Sequence, residues 1–206
     1  MFQAFRNVFQ RDEREDLPTV QTTPTSGNLE VDQLLEQFGG GSFNQGLYRV
    51  ISVGAIARWT QLVTDAFPGF VGRVIPFGFD WLGRVFALDS TRHVNGISAV
   101  VMLEPGTGEA LEIPCGVVAL HNVELIQYRE EALAESFYKQ WRATGGAIPR
   151  VGQCIGYQQP LFLGGTDATD NLELVGLDVY WELAAQLLSA TRDLPVGTRV
   201  NVFNIR

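Results

Sequence analysis

The sequence predicts an α+β protein with a single mixed or antiparallel sheet, helices packed on it, and a short helical appendage at the N-terminus. Three observations point there. Strand-like runs gather in the middle of the chain, at 70–76, 84–89, 96–103 and 109–113. Helical three-to-four periodicity flanks that block on both sides. Near the C-terminus the period switches abruptly, from alternation at 171–175 to helical spacing from Leu177 onward. A chain of 206 residues, 46% hydrophobic and 18% charged, suits one domain with enough apolar surface for a core.

Taken in order, Phe2, Phe5, Val8 and Phe9 fall on one side of a short helix, which must dock because exposed aromatics are a liability. A mixed charge run at 11–16 and a Pro-, Thr- and Ser-rich stretch at 18–27 read as a linker. Asn28 is placed to cap a helix ending at Phe38, with Leu34, Leu35 and Phe38 inward. These elements make residues 1–39 an appendage and linker, and 40–206 the main domain. The run GGGSFNQG at 39–46 has glycines at the spacing of a phosphate loop. However, Leu47 and Tyr48 stand where that motif needs Lys and Ser or Thr, so a turn into a strand at 47–50 is expected.

Ser52 is a candidate cap for a helix with Ile56, Trp59, Leu62, Val63 and Phe67 buried, stopped at Pro68-Gly69. The four strands follow, with turns at 80–83 and 104–108. Residues 130–143 read as one amphipathic helix with Leu133, Phe137 and Trp141 on a stripe, ended by Gly145-Gly146. Pro160 to Leu163 reads as a short buried strand stopped by Gly164-Gly165. A closing helix buries Leu177, Tyr180, Trp181, Ala184, Leu187 and Leu188, with Asp178 in its first turn.

Charge narrows the function. The net charge is −8, and residues 104–206 hold thirteen acids against seven bases. Such a chain repels phosphates, which argues against direct nucleic-acid binding and favours a basic partner. Between Glu104 and Glu135 there are seven acids and one Arg, either a solvated face or an acidic docking surface. Cys115 and Cys154 belong to no CxxC pair and are expected as reduced core residues. No signal-peptide core or membrane-length apolar run is present, so a cytoplasmic protein is expected.

No catalytic motif stands out. His93 and His121 are the only histidines, and a structural role is expected for both. A Cys154–His121 nucleophile pair lacks any local motif. Asp80, Asp89 and Glu112 could converge across strands, although nothing in their spacing requires it. Asp167 and Asp170 sit in a turn-forming TDATD run that lacks the EF-hand pattern. No metal or cofactor is expected.

The blocks Cys154-Ile-Gly-Tyr157, Pro160-Leu-Phe-Leu-Gly-Gly165, Asn171-Leu172, Asp178-Val-Tyr-Trp181 and Gln186-Leu-Leu188 resemble the C-terminal domain of Tdi-type immunity proteins. Upstream, Gly46-Leu-Tyr-Arg49 and the run from Ile75 to Asp89 (IPFGFDWLGRVFALD) are similar to the same family, so the resemblance spans roughly residues 40–190. It implies a non-catalytic cytoplasmic inhibitor of a DNase effector delivered by type VI secretion, with a kinship of fold style to the SMI/KNR-like (SUKH) immunity superfamily. Members often carry a GAD-like N-terminal domain, where this chain has its short appendage. Inhibition of a nuclease suits the charge, because carboxylates can stand in for phosphates in a basic active-site cleft. The candidate partner contacts are Glu104, Glu109, Glu112, Glu124, Asp167 and Asp170. The alternatives are an interaction or regulatory module with no toxin partner, and a hydrolase using Cys154 and His121.

Overall fold

The structure, a computed structural model, describes residues 1–13, 26–195 and 198. Its centre is a six-stranded antiparallel meander in which strand order follows chain order. The strands are β1 (Ser42–Phe43), β2 (Tyr48–Val50), β3 (Val74–Asp80), β4 (Val85–Val94), β5 (Ile97–Glu104) and β6 (Glu109–Ile113). Alternation puts Phe86, Leu88, Val100 and Met102 into one apolar layer and Val85, Ala87, Val101 and Leu103 into the other. Helices cover both faces. One layer holds α1 (Gln3–Val8), α2 (Leu29–Phe38) and a winding segment from Val117 to Leu133. The other holds α3 (Ile56–Ala66) and α8 (Leu177–Thr191), which pack on each other. A separate antiparallel pair, β7 (Gln153–Tyr157) with β8 (Leu172–Gly176), joins the sheet's end through the Ile155 N–H, which donates to the Trp81 carbonyl.

The N-terminal helix docks as expected. Phe2, Phe5 and Phe9 are buried against Phe38, Phe43, Tyr48 and His121, and each such burial contributes on the order of 2 kcal/mol. Val8, expected on the same side, is exposed, because the docked stripe is carried by positions 2, 5 and 9. Asn28 caps α2 through its side chain, which accepts from the Glu30 and Val31 N–H groups. The linker expected at 18–27 lies mostly outside the described residues.

The glycine turn at 39–46 holds an anion, and the anion belongs to the chain itself. Asn44, Gln45 and Gly46 all have positive φ. In this turn the N–H groups of Gln45 and Gly46 face one anion, as in a nest. Asp12 fills it, accepting from Gln45 N–H at 2.6 Å, Gly46 N–H at 2.8 Å and the Ser42 hydroxyl at 2.6 Å.

Four local expectations are corrected. The first strand of the central block begins at Val74, because Pro68–Phe70 forms a 3₁₀ turn instead. Ser52 makes no capping bond; a 3₁₀ turn, Val53–Ala55, leads into α3. The run expected as a strand at 160–163 is a 3₁₀ turn, Leu161–Leu163, because the N–H groups of Leu161 and Phe162 converge on the Gly106 carbonyl. The helix expected at 130–143 breaks at Ala134, φ +48°, into α6 (Arg129–Leu133) and α7 (Glu135–Ala143). Two side chains from the β3–β4 turn explain that break: Trp81 Nε1–H donates to the Leu133 carbonyl and Arg84 to the Ala132 carbonyl. The remaining helical segments are α4 (Val117–Ala119), a π-helical turn Leu120–Glu124 and α5 (Leu125–Gln127).

Two buried polar groups set the fold's chemistry. His121 sits on the π turn, fully buried among Phe2, Phe5 and Phe77. The Val117 carbonyl can only accept, so Nδ1–H donates to it at 2.7 Å and Nε2 accepts from the Tyr48 hydroxyl at 2.9 Å. That reach passes over Gly78, where a Cβ would lie 2.3 Å from the Tyr48 hydroxyl. The second group is Asp80. It accepts from the Arg84 backbone N–H at 2.9 Å and Nε at 2.7 Å, with a further ion-pair contact of 2.6 Å. Burial pushes the Asp80 carboxyl up while Arg84 and Arg49 pull it down.

Both groups generate expected outcomes. Burial lowers the His121 ring from 6.5 to about 4, against the opposing pull of Val117. The unfolded chain binds a proton that the folded one refuses. Stability from this group is therefore full above about pH 6.5 and falls as pH drops toward 4, by on the order of 3 kcal/mol. Denaturant unfolding across that range should show the slope, and His121→Leu should flatten it; an unchanged slope would contradict the assignment. Asp80→Ala should cost about 3–5 kcal/mol by stranding a buried cation, and the double variant Asp80→Leu/Arg84→Met should recover part of that loss. Equal destabilisation in both would show that the pair is not the source.

Candidate functional site

The acids expected to meet a partner divide by position. β5 and β6 form a hairpin in which Glu104 lies opposite Glu109. Tyr157, at the end of β7, lays its ring on Gly106 in the hairpin turn, where a Cβ would come within 2.7 Å of it. The Tyr157 hydroxyl donates to Asp167 at 2.7 Å. Glu104, Glu109 and Asp167 are thus gathered around one hairpin end, close enough that Asp167 and Glu109 both help to raise the Glu104 carboxyl.

Their exposures differ. Glu104 is 9% exposed and lies near Arg84. Burial is the main reason that its carboxyl is raised, with Arg84 opposing. So buried, it offers little surface for direct contact. Glu109 and Asp167 are exposed, and neither makes an ion pair among the described residues. Glu112 is exposed further along β6, 3.6 Å from Arg92. Glu124 is half-buried on the π turn, near enough to Cys115 to help raise that thiol, though burial is the larger cause. Asp170 is exposed on the 3₁₀ turn Thr169–Asn171, which packs near α7.

The constellations of the catalytic alternatives are not assembled. Asp80 is paired with Arg84, Asp89 with Arg73, and Glu112 with Arg92. Both nitrogens of His121 are engaged, so neither is available to a thiol. Cys154 is buried in the α3/α8 layer, the opposite apolar layer from the aromatic residues around His121, and burial pushes its thiol far up. Among the described residues no three His, Cys, Asp or Glu side chains are grouped as metal ligands, and no helix is long and apolar enough to cross a membrane.

Among the described residues, two depressions stand out. The larger, of about 1300 Å³, lies between the ends of α3 and α8 and is lined by Phe67, Phe70, Phe162, Leu163, Leu188 and Arg192. The smaller, of about 420 Å³, is lined by Asp12, Gln45, Pro149 and Arg150 among others. Neither contains the acids at the hairpin end. Sequence reading missed Arg49, which is buried and donates to the Arg150, Gln153 and Asp80 carbonyls. A lone Arg inside the apolar run LYRVI was the available signal.

The same architecture recurs in a solved protein. The crystal structure of Atu4351 from Agrobacterium tumefaciens superposes with a TM-score of 0.52, covering 90% of this chain and 89% of that one. At 14% identity the likeness is one of fold. No curated protein matches the sequence. A family described as T6SS immunity protein Tdi1, C-terminal, matches residues 120–188. That segment runs from the π turn bearing His121 and Glu124, through β7, β8 and the acids Asp167 and Asp170, into α8. Over residues 120–188 the chain is thus similar to the C-terminal domain of the T6SS immunity protein Tdi1.

Proposed function

We propose that this chain is a non-catalytic immunity protein that binds a cognate nuclease toxin of a type VI secretion system and blocks its basic active-site cleft. The observation that carries the reading is the family match over residues 120–188. Immunity requires a partner, and the charge pattern supports a cationic one. The chain carries a net charge of −8, and Glu109 and Asp167, exposed and without an ion pair among the described residues, sit with Glu104 behind them at one hairpin end. A nuclease must hold polyanionic substrate in a basic cleft. Carboxylates presented on a rigid hairpin compete for that cleft, and long-range attraction speeds the encounter. The toxin-binding unit on this reading is residues 40–206, with 1–39 as an appendage.

The test is co-expression with the product of the gene neighbouring this chain's own, as the candidate effector. Rescue of growth and co-purification of a complex are expected; absence of both would overturn the reading in favour of an interaction module without a toxin. Within such a complex, the double variant Glu109→Lys/Asp167→Lys should slow association by about tenfold or more, with the gap closing as salt is raised. Stopped-flow association rates over a salt series measure this. A salt-independent rate would remove the electrostatic part of the proposal.

A further inference from the structure

We propose that the outer edge of β6 is the seat of the toxin, which adds an extended segment there as a seventh strand of the sheet, with Lys or Arg flanking an apolar residue. This inference rests on the toxin-binding reading above. The sheet ends at β6, and among the described residues no strand pairs with its far side. An edge strand turns N–H and C=O groups outward at alternate residues, and those groups form a template for another strand.

The exposure of β6 is unusual for its place. Its neighbour β5 is buried at every position from Ala99 to Glu104, on both faces, yet Glu109, Ala110, Leu111 and Glu112 are all exposed. Leu111 is 42% exposed beside buried Met102, its cross-strand partner. The sheet's apolar layer therefore runs to the edge and stops uncovered. Prolines at 105 and 114 bracket the strand, which confines pairing to five residues, roughly 16 Å of extended chain.

Charge selects the occupant. Glu109 and Glu112 stand on the strand itself, with Glu104 and Asp167 clustered at its start. Arg92 is the one cation paired to this strand among the described residues. A second copy pairing antiparallel about Leu111 would bring four strand carboxylates together within that same short span, which like-charge repulsion opposes. A basic strand meets no such cost and gains opposite charges at both ends. An apolar residue between its cations would lie beside Leu111.

The experiment uses the full chain and a catalytically inactivated form of the effector encoded beside it. Hydrogen–deuterium exchange of the complex should slow the amides of residues 109–113 by at least about tenfold relative to the free chain. Ala110→Pro and Leu111→Pro are then compared. Adjacent residues point their N–H groups to opposite sides, so one proline removes an outward donor and the other a bond to β5. Thermal melting identifies the former as the variant that keeps its midpoint. That variant should bind the effector at least about tenfold more weakly. A wild-type complex with no protection at 109–113, or full affinity in the folded proline variant, would overturn the seventh strand while leaving the immunity reading intact. No complex with the unmodified chain would overturn both.

Discussion

The β3–β4 turn, residues 80–84, is the constraint on which the other layers depend. Its Asp80–Arg84 pair is buried within five residues of chain, so the turn must close before either charge is compensated. Every neighbouring layer then bonds to it. The Trp81 N–H donates to the Leu47 carbonyl of the sheet, and the Trp81 carbonyl accepts from Ile155 of β7. The Trp81 indole and Arg84 hold the broken helix at 132–133. From the opposite face the Trp181 indole of α8 donates to the Gly83 carbonyl at 2.8 Å. Gly83 has φ +77°, and a Cβ there would meet the Cys154 sulfur at 3.0 Å, so this position admits only glycine without displacement of the α8 layer. Arg49 completes the knot by reaching the Asp80 carbonyl and the Arg150 and Gln153 carbonyls, its guanidinium stacked on Phe79 at 4.6 Å.

This knot explains why the most distinctive sequence blocks are silent about binding. PFGFDWLGR builds the turn, LYR supplies Tyr48 and Arg49, and CIGY supplies the strand that receives the turn's backbone. In PLFLGG, Gly165 packs so closely on Gln159 that a Cβ would lie 1.9 Å from its carbonyl oxygen. These residues are held by geometry, and a chain that changed its partner could keep all of them.

Much of the architecture was legible because local chemistry and tertiary packing agree over most of the chain. α2 has a capping Asn and an apolar stripe, α8 a period switch, and the β5–β6 hairpin a Pro-Gly turn between strand-like runs. Legibility failed where distant side chains override local pattern. Nothing within 130–143 announces that Trp81 and Arg84 will take two of its carbonyls. Nothing within PLFL reveals that Gly106 will draw its N–H groups into a turn. The candidate site shows the same limit. Charge counting treats Glu104 and Glu109 alike, but they face each other across a hairpin, one buried near Arg84 and the other in solvent. The filled nest at 44–46 was foreseen only as a turn into a strand, because its anion, Asp12, is over thirty residues away in sequence.

The distribution of the cations gives the net charge its direction. Arg49 and Arg84 are buried within the knot. Arg58, Arg73, Arg92 and Arg129 are each engaged with a carboxylate, namely Glu182, Asp89, Glu112 and Glu135. Arg129 also lies over the Phe9 ring, helping to hold the appendage. With these arginines committed to structure, Glu109 and Asp167 have no ion-pair partner among the described residues at the end of the last hairpin. An acidic protein whose cations were spread evenly would repel polyanions from every side and attract a basic partner to none in particular. Here two exposed carboxylates stand at a hairpin that also carries the sheet's open edge, so on the proposed reading the approach of a cationic partner and its pairing with the backbone would occur at one place.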